Sequence, residues 1–287
     1  MSRSMTHFNE TESAGNGWDR LEEGLAAARA KGDCFRLFFR DDDVAEDEPS
    51  LCRLLDLFAE HRTALNLEII PGQLTDAGSR RLRDHWEQAP SLLDLHQHGW
   101  THQNHEAGGR KCEFGPARSF EEQLKDLRAG RDRLLDQFGP AFVPVFTPPW
   151  NRYSSATIVA LAELGFHAVS ALWRPVARAA WPSHPVVEGG LRTIPATLDL
   201  IEWGERRRLR PVDELLASLS GQLTDQGRAG VVAPPVGILL HHAVMDDAAF
   251  DFLARLLRLL RESGSVEVLS FSTLLSDRFS PSQRKRP

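Results

Sequence analysis

Cysteine, methionine and tyrosine are scarce in this chain, with three, three and one among 287 residues. Cys34, Cys52 and Cys112 lie far apart and form no C-x-x-C pair, so the set is odd in number and unsuited to a disulfide framework. Such cysteines read as reduced thiols. Long hydrophobic runs are also missing: nothing approaches the roughly 18 apolar residues of a spanning helix. The first 17 residues are polar and acidic and hold no apolar stretch of signal-peptide type. Both absences set a cytoplasmic location as the expectation. Basic excess is lacking too, since 34 Lys and Arg face 40 Asp and Glu, for a net charge of -6. Apart from short runs at Arg206, Arg207, Arg208 and at Arg284, Lys285, Arg286, the basic residues are spread out. That pattern argues against a nucleic-acid partner and against an anionic membrane surface.

What is present is ordinary for a globular protein: 41% hydrophobic and 26% charged residues. A chain of this length buries a sizeable core without disulfides or a structural metal, so any metal here is functional. Residues 1–17 and 280–287 are polar and expected to be disordered. No linker or internal repeat divides the stretch between, which reads as a single domain over 18–279.

Two hydrophobic periods alternate along that domain. Helical patterns cover Leu21–Ala30, a segment opened by Pro49, Asp76–Glu87, a segment capped by Ser119 and Glu122 and ending at Phe138, Ser155–Leu164, Pro211–Leu223 and Ala248–Leu260. Strand-like runs are Cys34–Phe39, Ala64–Ile70, Leu92–His96, Ala141–Phe146, Phe166–Leu172, Leu191–Leu198, Val236–Leu240 and Val266–Leu269. Strands separated by helices predict a parallel sheet covered by helices, a complete or incomplete α/β barrel. In such folds the chemistry sits at the C-terminal ends of the strands.

Four polar clusters fall at those ends. Arg40-Asp41-Asp42-Asp43 follows the first strand; adjacent carboxylates repel, and a bound cation or a raised pKa relieves that cost. An acidic loop leading into a helix is the plainer account. His96, His98, His102 and His105 crowd ten residues after another strand, and the four-residue spacing of His98 and His102 suits one ion. Thr147-Pro148-Pro149-Trp150 closes a third strand as a rigid turn that presents Trp150 as a flat apolar wall. His241 and His242 end the buried strand Val236–Leu240; because neighbours on a strand face opposite ways, only one of them points into a site.

Together these motifs resemble the polysaccharide deacetylase (NodB-homology) family, carbohydrate esterase family four in the wider sense. Its aspartate pair is similar to Asp42-Asp43, its H-x-x-x-H motif to His98 and His102, its third motif to Thr147-Pro148-Pro149-Trp150, and its late L-x-H to Leu239-Leu240-His241. The order is the family's and the span runs from about Phe35 to Ser276. The resemblance implies a distorted (β/α) barrel of seven or eight parallel strands that hydrolyses an acyl group from an amide nitrogen, often on an N-acetylated sugar. It implies Asp42 as general base, Asp43, His98 and His102 as ligands of one divalent metal, and His241 as general acid, with His242 the other possible donor. Trp150, Pro149, Arg152, His242 and Trp203 are the candidate substrate contacts, and Asp199, Glu202 and Trp203 resemble the family's acidic-tryptophan segment. Trp100 and Trp173 are further rings able to stack on a sugar.

Two departures stand out. The arginine that opens the third family motif is Thr147 here, leaving Arg40 or Arg152 to supply its charge, and the glycine after the aspartate pair is Val44. The ligand set favours Zn²⁺, with Co²⁺, Ni²⁺ or Mn²⁺ as alternatives. The expected partner is a small-molecule or oligosaccharide N-acyl substrate; oligomeric state is not readable. Two rival functions share the ligands: a non-catalytic carbohydrate- or metal-binding member of the fold, and a two-His, one-carboxylate Fe(II) oxygenase.

Overall fold

The computed structural model describes residues 16–172, 190–229 and 233–276. In chain order its strands are β1 (Phe35–Val44), β2 (Leu65–Ile69), β3 (Leu93–His98), β4 (Phe142–Thr147), β5 (Ala168–Val169), β6 (Arg192–Thr193), β7 (Leu198–Asp199), β8 (Ile201–Glu202), β9 (Arg208–Leu209), β10 (Val236–Leu240) and β11 (Val266–Val268). The helices are α1 (Gly17–Lys31), α2 (Pro49–His61), α3 (Asp76–Gln88), α4 (Phe120–Phe138), α5 (Ser155–Glu163), α6 (Val212–Ala229), α7 (Asp247–Ser263) and α8 (Phe271–Leu275).

The helix ends form where the local chemistry places them. Ser119 and Glu122 exchange side-chain and backbone hydrogen bonds across the first turn of α4, and Pro49 opens α2 where no donor is needed. Asp246 caps α7, whose Leu253, Leu256, Leu257 and Leu260 line one fully buried face. Each such leucine contributes roughly 1.5–3 kcal/mol by leaving water. Asn16 caps α1, so Gly17, expected to be loose, already lies in the helix. The rest of the expected N-terminal disorder, the 280–287 tail and Trp173 lie outside the described residues.

The fold is the distorted (β/α) barrel that the alternation predicts. Strands run parallel in the order β6-β5-β4-β3-β2-β1-β10-β7, with β11 pairing the first residues of β1. The run Leu191–Leu198, expected as one strand, is two short ones at opposite sheet edges. Ile194 and Ala196 donate to Val169 and Ala171, then Thr197 and Leu200 donate to Gly237 and Leu239. One extended segment thus spans from β5 to β10 across the open side. Phe166–Leu172 likewise shortens to the two residues of β5, because that curvature permits only a brief ladder.

The barrel interior is layered. Its lower part is apolar, filled by Phe38, Val145, Ala168, Ile194 and the fully buried Phe271 of α8, which acts as a plug. Gly237 is required here: a Cβ would stand 2.2 Å from the Phe38 ring and 2.7 Å from the Ala196 backbone. Above this layer the interior turns polar, with Arg40, Asn66, Glu68, His96, His98 and Thr147 all buried. Among the described residues no helix is long and apolar enough to cross a membrane.

Candidate active site

Asp42 and Asp43 are consecutive on β1, so a regular strand would turn them to opposite faces. The register between β1 and β2 shifts between Asp41 and Val44, and Asp43 has φ 71°. This bulge re-aims Asp43, a common use of bulges beside sites. Three more residues there share the left-handed conformation: His102 at φ 54°, Trp150 at 54° and Asn151 at 56°. Each costs of order 1–3 kcal/mol that the surrounding packing must offset, and such strain concentrates at functional sites.

Asp43 Oδ1 lies 3.2 Å from His98 Nε2 and 3.2 Å from His102 Nε2. These donors all fall within 4.8 Å of one another. Ligand atoms placed tetrahedrally around an ion at about 2.0–2.1 Å stand roughly 3.3 Å apart, so the cluster fits a small divalent cation. Asp43 Oδ1 is buried with no hydrogen-bond partner, a second sign that a cation belongs there. His98 Nδ1–H donates to the Thr147 carbonyl at 3.0 Å, which fixes the tautomer and turns Nε2 toward the cluster. Thr147 therefore serves the site through its backbone. Three side chains around one ion would leave coordination positions open, as a catalytic site needs.

The charges in this pocket are strongly coupled. Burial would lower His98, but the adjacent carboxylate of Asp43 and the charges of Asp42 and Glu68 raise it to about 9. His102 falls to about 4 through burial and the neighbouring His98 charge. Burial would raise Asp43, but the adjacent imidazoles of His98 and His102 hold it well below the usual carboxylate range.

Asp42 is almost completely buried, and Arg40 holds it with both arms of the guanidinium, Nε to Oδ1 at 2.8 Å and Nη2 to Oδ2 at 2.9 Å. Arg40 also donates to Ser170 Oγ at 2.9 Å and Asn151 Oδ1 at 3.3 Å. The charge missing at Thr147 is thus supplied from β1. Arg152 does not supply it: its guanidinium donates to the Lys111 carbonyl at 2.7 Å. Near Arg40, Glu68 is fully buried with both carboxyl oxygens unpartnered. Burial raises it to about 8, against the charge of Arg40, so it is mostly protonated at neutral pH.

On the far side, His241 Nε2 lies 3.9 Å from Asp42 Oδ2, and the Trp203 ring meets the imidazole edge-on at 4.6 Å. Asp199 steadies that tryptophan by accepting its indole N–H at 2.8 Å. Glu202 takes no part and pairs with Arg208 at 2.7 Å. Trp150 packs on His102 at 4.4 Å between ring centroids. Two tryptophans thus flank the site, the half-buried Trp150 on His102 and the exposed Trp203 on His241.

Two expected substrate contacts are placed elsewhere. His242 faces away from the cluster and is fully buried, with Nδ1 2.5 Å from Asp41 and Nε2 3.0 Å from Glu48. Strand alternation decides this: Asp41 pairs with Leu240 on the outer face, so His241 turns inward and His242 outward. Pro149 is buried against Gly99 and acts as a packing element. Trp100 is half-buried and packs on the core.

The sequence reading missed Glu113 and Gly99. Glu113 accepts from Thr101 N at 2.7 Å and from Trp100 N at 3.3 Å, which shapes the loop carrying His102. Gly99 has φ 61° and no room for a Cβ beside Glu113 and Pro149. The glycine inside the His98–His102 motif was a visible signal; Glu113, eleven residues beyond His102, had none.

No family model and no curated protein matches this chain. Solved structures do. A Mycobacterium smegmatis protein described as a polysaccharide deacetylase superposes with a TM-score of 0.64 at 16% identity, over 89% of this chain and 95% of its own. A family 4 acetyl xylan esterase from Clostridium thermocellum, in complex with a cobalt ion, has a TM-score of 0.52 at 14% identity, covering 83% and 89%. A CE4 family pseudoenzyme from Bacillus anthracis has 0.52 at 15% identity, covering 85% and 66%. This chain therefore has the fold of the polysaccharide deacetylases and family 4 carbohydrate esterases.

Proposed function

We propose that this chain is a metal-dependent hydrolase that removes an acyl group from an amide nitrogen, on an N-acetylated sugar or a related small molecule. The observation that carries this reading is the convergence of Asp43, His98 and His102 on one centre, with Asp42 and His241 flanking it. Bound there, a divalent cation, Zn²⁺ by its ligand preferences, supplies Lewis acidity to the acyl oxygen and makes water acidic enough to attack.

The side chains supply the proton transfers. Asp42, oriented by Arg40, accepts a proton as a water oxygen bonds to the acyl carbon. His241 donates a proton to the nitrogen as the C–N bond breaks, giving a carboxylic acid and a free amine. A backbone N–H at Trp150 would meet the developing oxyanion. The two tryptophan walls suit the faces of a sugar ring.

A non-catalytic reading has two observations in its favour: a pseudoenzyme shares this fold, and Thr147 stands where the family has an arginine. The Arg40–Asp42 fork answers it by restoring the base's partner. The Fe(II) oxygenase reading calls for an antiparallel double-sheet frame, whereas this sheet is parallel throughout. The test is metal analysis followed by a screen for acetate or formate release from N-acyl compounds. Wild type is expected to hold one metal per chain and to turn over. Asp42→Asn keeps the metal and loses turnover, and His98→Ala loses the metal. A metal-loaded wild type with no turnover on any N-acyl compound would leave the binding-module reading standing.

A further inference from the structure

Each tryptophan beside the site has a cation over its ring. Lys111 Nζ lies 5.8 Å from the Trp150 ring centre, and the Arg207 guanidinium carbon lies 5.5 Å from that of Trp203. The two rings are the ones in contact with His102 and His241. Next to the first wall, Arg110 and Arg152 line a cleft of about 440 Å³ that reaches Asn151, the residue after Trp150. Lys111, Arg110 and Arg207 are exposed and have no ion-pair partner among the described residues.

The nearby acids are largely hydrogen-bonded, though of these only Glu202 has its charge paired by a cation. Glu106, in the same cleft, accepts from the Ala117 amide, Glu113 from two loop amides, and Glu202 from Arg208. Glu205 is the exposed exception on the hairpin that carries Arg207. A cationic rim in a chain of net charge -6 concentrates anions at this mouth.

We infer that the substrate is anionic: an N-acyl sugar or similar small molecule bearing a phosphate or carboxylate, which Lys111 and Arg207 read at the rim while its ring lies between Trp150 and Trp203. This deepens the hydrolase reading and rests on it for the acyl group alone. A solvated cation over an aromatic ring offers both a stacking face and charge-assisted hydrogen bonds to an oxyanion.

The test is calorimetric binding to the metal-loaded Asp42→Asn protein, which needs no turnover. The ligands are N-acetylglucosamine, its 6-phosphate, its 1-phosphate and N-acetylmuramic acid, each at low and high salt. At least one anionic member is expected to bind on the order of 10-fold more tightly than the neutral sugar at low salt, with the preference shrinking at high salt. The phosphate and carboxylate arms separate the two sources of charge. In the Lys111→Ala/Arg207→Ala background the preference should collapse to about 2-fold or less. Equal binding of neutral and anionic members, or a preference that survives the double substitution, overturns the inference. Failure of the hydrolase reading shows differently, as absence of acyl release from a wild type that still prefers anions.

Discussion

Taking the guanidinium from Arg40 strands a buried carboxylate. Arg40→Met leaves Asp42 without its two-armed partner, and deleting one member of a buried pair costs about 3–5 kcal/mol. Arg40→Lys keeps the charge but not the planar fork, so it is the sharper experiment. It is expected to fold, to keep its metal, and to lose on the order of 100-fold in kcat with little change in KM, as read by acyl release. Wild-type kcat in that variant would show that orientation of Asp42 does not matter. The candidate residues Asp42, Asp43, His98, His102 and His241 were legible in the sequence because each closes or follows an apolar run and matches a motif of the family the chain resembles. The choice between Arg40 and Arg152 was not. Both lie near the motifs, and only the path of each side chain separates them: one into the barrel, the other onto the Lys111 carbonyl.

At the scale of elements, the loop after β3 holds the site together. Glu113 ties down the Trp100 and Thr101 amides, and Gly99 passes Glu113 and Pro149 at a distance no side chain tolerates. A Cβ on Gly99 would stand 2.1 Å from Glu113 Oε2 and 2.5 Å from Pro149 Cγ, on a backbone with φ 61°. Gly99→Ala is therefore expected to destabilise the fold by about 2 kcal/mol or more and to lower metal occupancy below one per chain. Melting temperature and metal analysis check the two effects; normal values of both would remove the loop from the account. Long elements with a strong period were predictable, as α4, α7 and β10 show. The two-residue strands β5, β6 and β7 were not, because their ladders are set by how the sheet curves, a property of no single segment.

For the whole molecule, two buried groups outside the Asp43, His98 and His102 cluster weaken the fold on the alkaline side. Glu68 is raised to about 8 by burial, so the unfolded chain ionises first, and stability falls as pH climbs from its ordinary value toward 8. His242 is raised to about 9: burial opposes protonation, but Asp41 and Glu48 outweigh it. Its contribution is complete below the ordinary histidine pKa and is lost as pH rises through 9. Both effects make the alkaline side the weaker one. Above the ordinary histidine pKa of about 6.5, where His96 and His102, both lowered to about 4, no longer add stability as pH rises, thermal melts up to pH 9 should show a falling melting temperature. Glu68→Gln should flatten the lower part of that fall and His242→Gln the upper part. A profile unchanged by either substitution would remove these groups as its cause.

The sequence by itself determined the alternation of strands and helices, the strand ends as the place of the chemistry, and the residue types able to hold a cation there. Those follow from local patterns: hydrophobic period, capping and motif spacing all act over a few residues. Only the tertiary structure decided that a bulge turns Asp43 beside Asp42, that Arg40 replaces the arginine absent at Thr147, and that His241 faces inward while His242 locks β1 to α2. These depend on which face of a strand meets which neighbour. That is fixed by sheet register and barrel curvature, which join residues as distant as 41 and 242.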